Sequence, residues 1–161
     1  MAACVSLFEI YVFKICSVLE TTSSKCLKSV RGSGVDRLCK YLILALQDLG
    51  IDLDVANFEY LKEIRAAVRI RNALMHASGL LQVCRDRVGI MHIIDNYLYL
   101  HESDRRKTII DDKRHIIHVV PTESGEQIIV GSLYAWRLAF YCRELIQLLC
   151  DELATRLVLP T

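Results

Sequence analysis

The segment from Leu133 to Leu157 is apolar on most of its helical circumference, with Leu133, Trp136, Phe140, Leu145, Ile146, Leu148, Leu149 and Leu153 spread around the wheel. Such a helix must lie inside a bundle or be shared with a second subunit. Four other stretches carry apolar residues at spacings of three and four, the signature of helices that bury one face. The first covers residues 3–20, with Leu7, Phe8, Tyr11, Ile15, Val18 and Leu19, and ends at the Thr21–Ser24 cluster. A second follows the Arg31-Gly32-Ser33-Gly34 loop, with Ser33 as N-cap, Asp36 in the first turn and Gly50 as the stop. A third starts near 54–57 and runs to His76 or Ala77, ahead of Ser78-Gly79, and a weaker fourth spans 83–100 with Gly89 inside it. The charged stretch 101–112 reads as a loop. The β-branched runs 114–120 and 127–131 flank Pro121-Thr-Glu-Ser-Gly125 and predict a hairpin. The expected fold is therefore mainly α: a bundle of about five helices with one small β-hairpin before the last helix, as one domain over residues 1–161.

Composition narrows the function classes. A net charge of +1 argues against whole-surface binding to nucleic acid or anionic membrane, while leaving room for a local basic patch. A mean hydropathy of +0.29 is high for a soluble domain, and implies a large core or a face covered by another subunit. Glu9 and Lys14 interrupt the N-terminal apolar segment, so no bilayer-spanning stretch is expected, and no basic region precedes it as in a secretory signal. The seven cysteines are scattered with no C-x2-C pair, which suggests free, buried thiols in a reducing cytoplasm and no metal site.

The third helix carries the chemistry. On a wheel of about 100° per residue, Leu61, Ile64, Val68 and Met75 form an apolar line widened by Ala67, Ile70 and Leu74, and Arg71 falls in the middle of it. An unpaired guanidinium buried there would cost several kcal/mol, so a carboxylate, a partner or an anionic ligand must meet it; Glu9 and Asp36 are the helical carboxylates to examine. Asn72 and His76 lie at one edge of the arc beside Arg65 and Arg69. A structural ion pair at Arg71 and a dipole-stabilised His76 at the helix end are the plain alternative. His115 and His118 fall on opposite faces of a strand, and Arg105-Arg106-Lys107 reads as a solvated loop.

The string Ile64-Arg-Ala-Ala-Val-Arg-Ile-Arg71-Asn72-Ala-Leu-Met-His76-Ala-Ser-Gly79 resembles the motif of the HEPN (higher eukaryotes and prokaryotes nucleotide-binding) superfamily, in which an Arg, commonly followed by Asn, precedes a helix-terminal His by four to six residues. Ser6-Leu-Phe-Glu-Ile-Tyr-Val12 and the layout after Gly79 are similar to one group of that superfamily. The resemblance implies a homodimer whose paired Arg and His residues form one cleft, and a metal-independent endoribonuclease of toxin–antitoxin or antiphage type. Arg71, Asn72 and His76 are the matching catalytic positions; Arg65 and Arg69 beside them supply the local positive charge, and are the expected RNA contacts on that ground. It implies no cofactor, cytoplasmic action on RNA without a membrane, and a nucleotidyltransferase-like antitoxin as a further partner. A non-catalytic HEPN module that binds RNA, nucleotide or protein is the alternative. On an ideal helix Arg71 and His76 diverge by about 140°, so a two-fold dimer is the simple way to converge them.

Overall fold

A computed structural model describes residues 1–157, apart from the side chain of Lys107. The molecule is mainly α-helical, with an antiparallel hairpin ahead of the last helix, as the periodicities predict. Its elements are α1 (Ala2–Leu19), α2 (Gly34–Asp48), α3 (Leu61–Ala77), α4 (Arg87–Asp95), the single-turn α5 (Lys107–Ile110), β1 (Ile117–Thr122), β2 (Gly125–Val130) and α6 (Tyr134–Arg156). The chain packs into two compact units, one made of Met1–Val5 with Lys62–Tyr141, the other of Ser6–Leu61 with the chain from Cys142 onward.

Several boundaries differ from the sequence reading, each for a local reason. The third helix begins at Leu61, because Val55–Asn57 form a separate 3-10 turn and Tyr60 takes a left-handed φ of 65°. The fourth is confined to Arg87–Asp95: Asp86 caps its start, and Asn96 closes it just before Tyr97 at φ 52°. The stretch 101–112 contains a 3-10 turn at Glu102–Asp104 as well as α5. Pro121 lies within β1 opposite Glu126, so the hairpin turn is only Glu123-Ser124; a two-stranded sheet has only edges, where a missing N–H is tolerated. Ser33 precedes α2 without a side-chain capping bond.

The buried faces also differ. In α1 the buried stripe is Val5, Phe8, Val12, Cys16 and Leu19, while Leu7, Tyr11 and Val18 are exposed. In α6 it is Tyr134, Leu138, Tyr141, Leu145, Leu149 and Leu153, and Trp136 is 79% exposed. Both helices are apolar nearly all round, so periodicity alone does not select the inward face. By length and composition α1 is sufficient to cross a membrane, contrary to the expectation drawn from Glu9 and Lys14. The cysteines are free, but Cys26 and Cys150 are exposed where burial was expected.

In the unit that contains the hairpin, buried tyrosines tie loops to helices. The Tyr99 hydroxyl accepts from the Ile117 N–H and donates to the Ile117 carbonyl, both at 2.8 Å, and its ring meets Tyr134 edge to face at 5.2 Å between centroids. Tyr141 donates to Asp104 Oδ2 at 2.7 Å and accepts from the His101 N–H at 3.0 Å, while Arg137 forms an ion pair with the same Asp104. Burial pushes both phenols well above their ordinary range, so they stay protonated donors at any physiological pH. In the other unit, Asp48 at the end of α2 accepts from the Ser24 N–H at 2.6 Å and from the Ser23 and Ser24 hydroxyls at 3.1 and 2.8 Å. The turn after α1 is thereby closed onto α2.

Tyr99→Phe leaves the buried N–H and carbonyl of Ile117 without their hydroxyl, and should cost about 1–3 kcal/mol in urea unfolding. For Asp104, burial raises the carboxyl pKa, but hydrogen bonds from Arg137 and Tyr141 and the Arg137 charge outweigh it and leave the group below its ordinary value. The folded pKa is thus below the unfolded one, so this stabilisation is present above the unfolded value near 3.9 and is lost as pH falls through the folded one. Wild type should therefore lose more stability than Asp104→Asn between about pH 5 and pH 3, measured by urea midpoints across that range.

Candidate functional site

Helix α3 divides into three lines of residues at helical spacing. Ala66, Ile70, Ala73 and Ala77 are buried. Arg65, Arg69, Asn72 and His76 form a polar line, the first partly buried and the other three exposed. Val68, Arg71 and Met75 form the third, with Val68 and Arg71 partly buried and Met75 66% exposed. The expected apolar line is core in its first half, where Leu61, Ile64, Ala67 and Ile70 are buried, but its last turn is not, since Met75 is exposed and Arg71 beside it is only partly buried. Ala66, Ala73 and Ala77 widen the buried face beside Ile64 and Ile70, and their small side chains signal weakly in a reading weighted by bulk.

The helix stops where the sequence predicts. Ser78 and Gly79 both take left-handed conformations (φ 49° and 76°); the Gly79 N–H bonds back to Ala73 O at 3.4 Å and the Leu80 N–H to Ala77 O at 2.8 Å. Gly79 also accepts from the Ile128 N–H at 2.8 Å, and a Cβ there would come 3.1 Å from Leu74 Cδ2 and 3.4 Å from Ile128 O. This turn fastens the His76 end of α3 to β2, a contact continued by the bridge between Leu80 and Gln127.

A groove of about 490 Å³ opens beside this end of α3, lined by Asn72, His76, Arg69, Cys84, Arg85 and Asp86 above a floor of Ala73, Ala77 and Ile90. It thus gathers an imidazole, a carboxamide and a guanidinium from consecutive turns of one helix face. Arg71 is not among its lining residues, which agrees with the wide angle between Arg71 and His76 on the wheel. Of the expected site residues, Asn72, His76 and Arg69 come together here. Arg65 shares their helix line without lining the groove. Glu9 stands beside Gly34 and Asp36 lies in the first turn of α2, both in the other unit.

Asp86 is the groove residue whose role the sequence reading did not assign. It caps α4 by accepting from the Gly89 N–H at 3.2 Å, and its other oxygen forms an ion pair with Arg69. The hydrogen bond from Arg69 is the main cause that holds its carboxyl below the ordinary range. A signal was present in the sequence: Gly89 interrupts an otherwise good helix. Arg87 extends the same edge by pairing with Glu126 of β2 at 2.8 Å.

The remaining sequence candidates lie elsewhere. Arg105 donates to Leu100 O at 2.8 Å and so pins its own loop; the Lys107 side chain lies outside the described residues. His115 lies 3.7 Å from Asp112 just before β1, and His118 lies within β1. Tyr99 is buried in the core. Among the described residues no group of three or more His, Cys, Asp and Glu side chains converges as a metal site would require.

Burial, and next the charge of Asp86, pushes the Cys84 thiol up, and its Sγ donates to Leu80 O at 3.3 Å. The thiolate is the reactive form, so Cys84 should be alkylated by iodoacetamide at pH 7.5 more slowly than an unstructured cysteine peptide. The rate should rise in Asp86→Asn, read by peptide mass mapping.

No family model matches the chain, and no curated protein or solved structure matches it either.

Proposed function

We propose that this protein is a metal-independent endoribonuclease that acts as a homodimer, cleaving RNA by attack of a ribose 2′-hydroxyl on the adjacent phosphate. The observation that carries the reading is the groove in which His76, Asn72 and Arg69 stand along one face of α3. An imidazole is suited to take the 2′-hydroxyl proton near neutral pH. A guanidinium fork is suited to hold an RNA phosphate, and a carboxamide donor to the phosphate oxygens on which negative charge develops as the 2′-oxygen bonds to phosphorus and the 5′-oxygen leaves. The products are a 2′,3′-cyclic phosphate and a 5′-hydroxyl.

Arg71, on a different face of α3, requires a second copy of the chain if it is to meet the same phosphate, and that copy's His76 then protonates the leaving oxygen. The high mean hydropathy and the exposed Met75 on the Arg71 line support such a pairing. The resemblance of residues 64–79 to the HEPN motif supports the same assignment, and with it a role as a toxin or antiphage effector in the cytoplasm, restrained by a nucleotidyltransferase-like antitoxin. One observation favours the second reading, a non-catalytic RNA-, nucleotide- or protein-binding module: Asp86 neutralises part of the positive charge that a rapid RNA enzyme would display.

Purified protein incubated with total RNA in EDTA should give discrete fragments ending in cyclic phosphate. His76→Ala should abolish them while remaining folded, and Arg71→Ala should lower the rate by about 10²–10³-fold. Intact RNA in the wild-type lane would overturn the enzyme reading, and a monomer in light scattering at micromolar concentration would overturn the composite site.

A further inference from the structure

The most unusual feature of the groove is the glycine at position 89. It sits in the first turn of α4 with an ordinary negative φ, so its backbone does not call for glycine, and helix propensity favours almost any other residue. The reason is spatial. A Cβ on residue 89 would collide with Nη2 of Arg69 and lie 2.5 and 2.8 Å from the two carboxylate oxygens of Asp86. Gly89 therefore provides the room in which the Arg69–Asp86 pair rests against the helix, while its own N–H donates to Asp86 Oδ1 at 3.2 Å. The carboxylate is held from both sides, by a backbone N–H through one oxygen and by the guanidinium through the other.

A half-exposed surface ion pair needs no such accommodation, since exposed pairs stabilise folds little. What the arrangement does achieve is to immobilise a long side chain. Arginine has five N–H donors, and a carboxylate on Nη2 engages one of them while it fixes the plane of the fork. Arg69 stands on the same line of α3 as Asn72 and His76 and lines the same groove.

Resting on the reading of this groove as an RNA site, we infer that Arg69 is its phosphate-contacting guanidinium and that Asp86 and Gly89 are positioning residues that aim it. This assigns the groove a cation of its own, distinct from Arg71 of the helix motif, and gives the glycine in α4 a purpose that folding does not.

Gly89→Ala is the discriminating variant, because it improves helix propensity and meets only the movable ends of two side chains, so it should fold with an unchanged or higher Tm. In RNA cleavage it should raise KM about tenfold with little change in kcat, and lower the salt dependence of RNA binding by about one counterion. Asp86→Asn should do the same, and Gly89→Ala added to Arg69→Ala should cause no further loss, since both remove one interaction. A wild-type KM in Gly89→Ala, tighter RNA binding in Asp86→Asn, or additive losses in the double variant would each overturn the inference.

If wild type binds a labelled RNA oligonucleotide without cutting it, the dissociation constant replaces KM, and the enzyme reading fails while this one is still tested. A wild type that neither cuts nor binds RNA overturns the contact assigned to Arg69. Nitrogen-15 NMR of the guanidinium tests the positioning in either case. Restricted rotation of Arg69 in wild type, lost in Gly89→Ala and Asp86→Asn, is the expected result; free rotation in wild type overturns it.

Discussion

The turn at Ser78-Gly79 decides where everything near the groove can be. A helix left to run on would carry its polar line past His76 and away from the residues that follow. Two consecutive left-handed residues stop it within one turn, and the Gly79 carbonyl accepts from the Ile128 N–H of β2 at 2.8 Å. The chain then re-enters along Leu80 and Gln127 and returns through Cys84, Arg85 and Asp86 to form the opposite wall. The end of α3, the hairpin and the start of α4 are thus one mechanical assembly, and the imidazole stands at its junction.

That assembly also sets the electrostatics. The groove contains the cationic side chains of Arg69 and Arg85, and a carboxylate, Asp86, that pairs with Arg69. Because Asp86 is bound by a helix N–H as well as by Arg69, it cannot swing away freely to leave a bare cation. The site is consequently ordered and only mildly positive, a combination suited to a compact ligand that makes a few directed contacts and poorly suited to long featureless polyanions.

Much of this was legible in the residues. The existence of the main helices, the hairpin and the stop after His76 follow from apolar spacing, β-branched runs and a Ser-Gly pair, all of which are local signals. The inward faces of α1 and α6 were not legible, since Leu7 and Val12, or Trp136 and Leu138, are equally apolar and only tertiary packing chooses between them. The alanine edge of the α3 core was missed for the opposite reason: Ala66, Ala73 and Ala77 signal weakly although they are buried. At the site, Asn72, His76 and Arg69 could be placed on one edge from spacing alone. The Arg69–Asp86 pair crosses seventeen positions and an intervening turn, so only Gly89 betrayed it. Whether Arg71 faces a carboxylate or a second subunit depends on contacts that no spacing encodes.

The interleaving of the two units along the chain has a consequence for synthesis. The unit that bears the groove needs residues 1–5 and 62–141, whereas the other also needs α6 beyond residue 141. As the chain leaves the ribosome, the first five residues must wait through more than fifty others before their partners emerge. The groove-bearing unit then has all its residues while the second still lacks the rest of its last helix. During that interval residues 6–61, with the apolar α1 among them, stand without their final cover. Slower translation over the α6 codons then lengthens the interval in which this chain is exposed to aggregation and to chaperones.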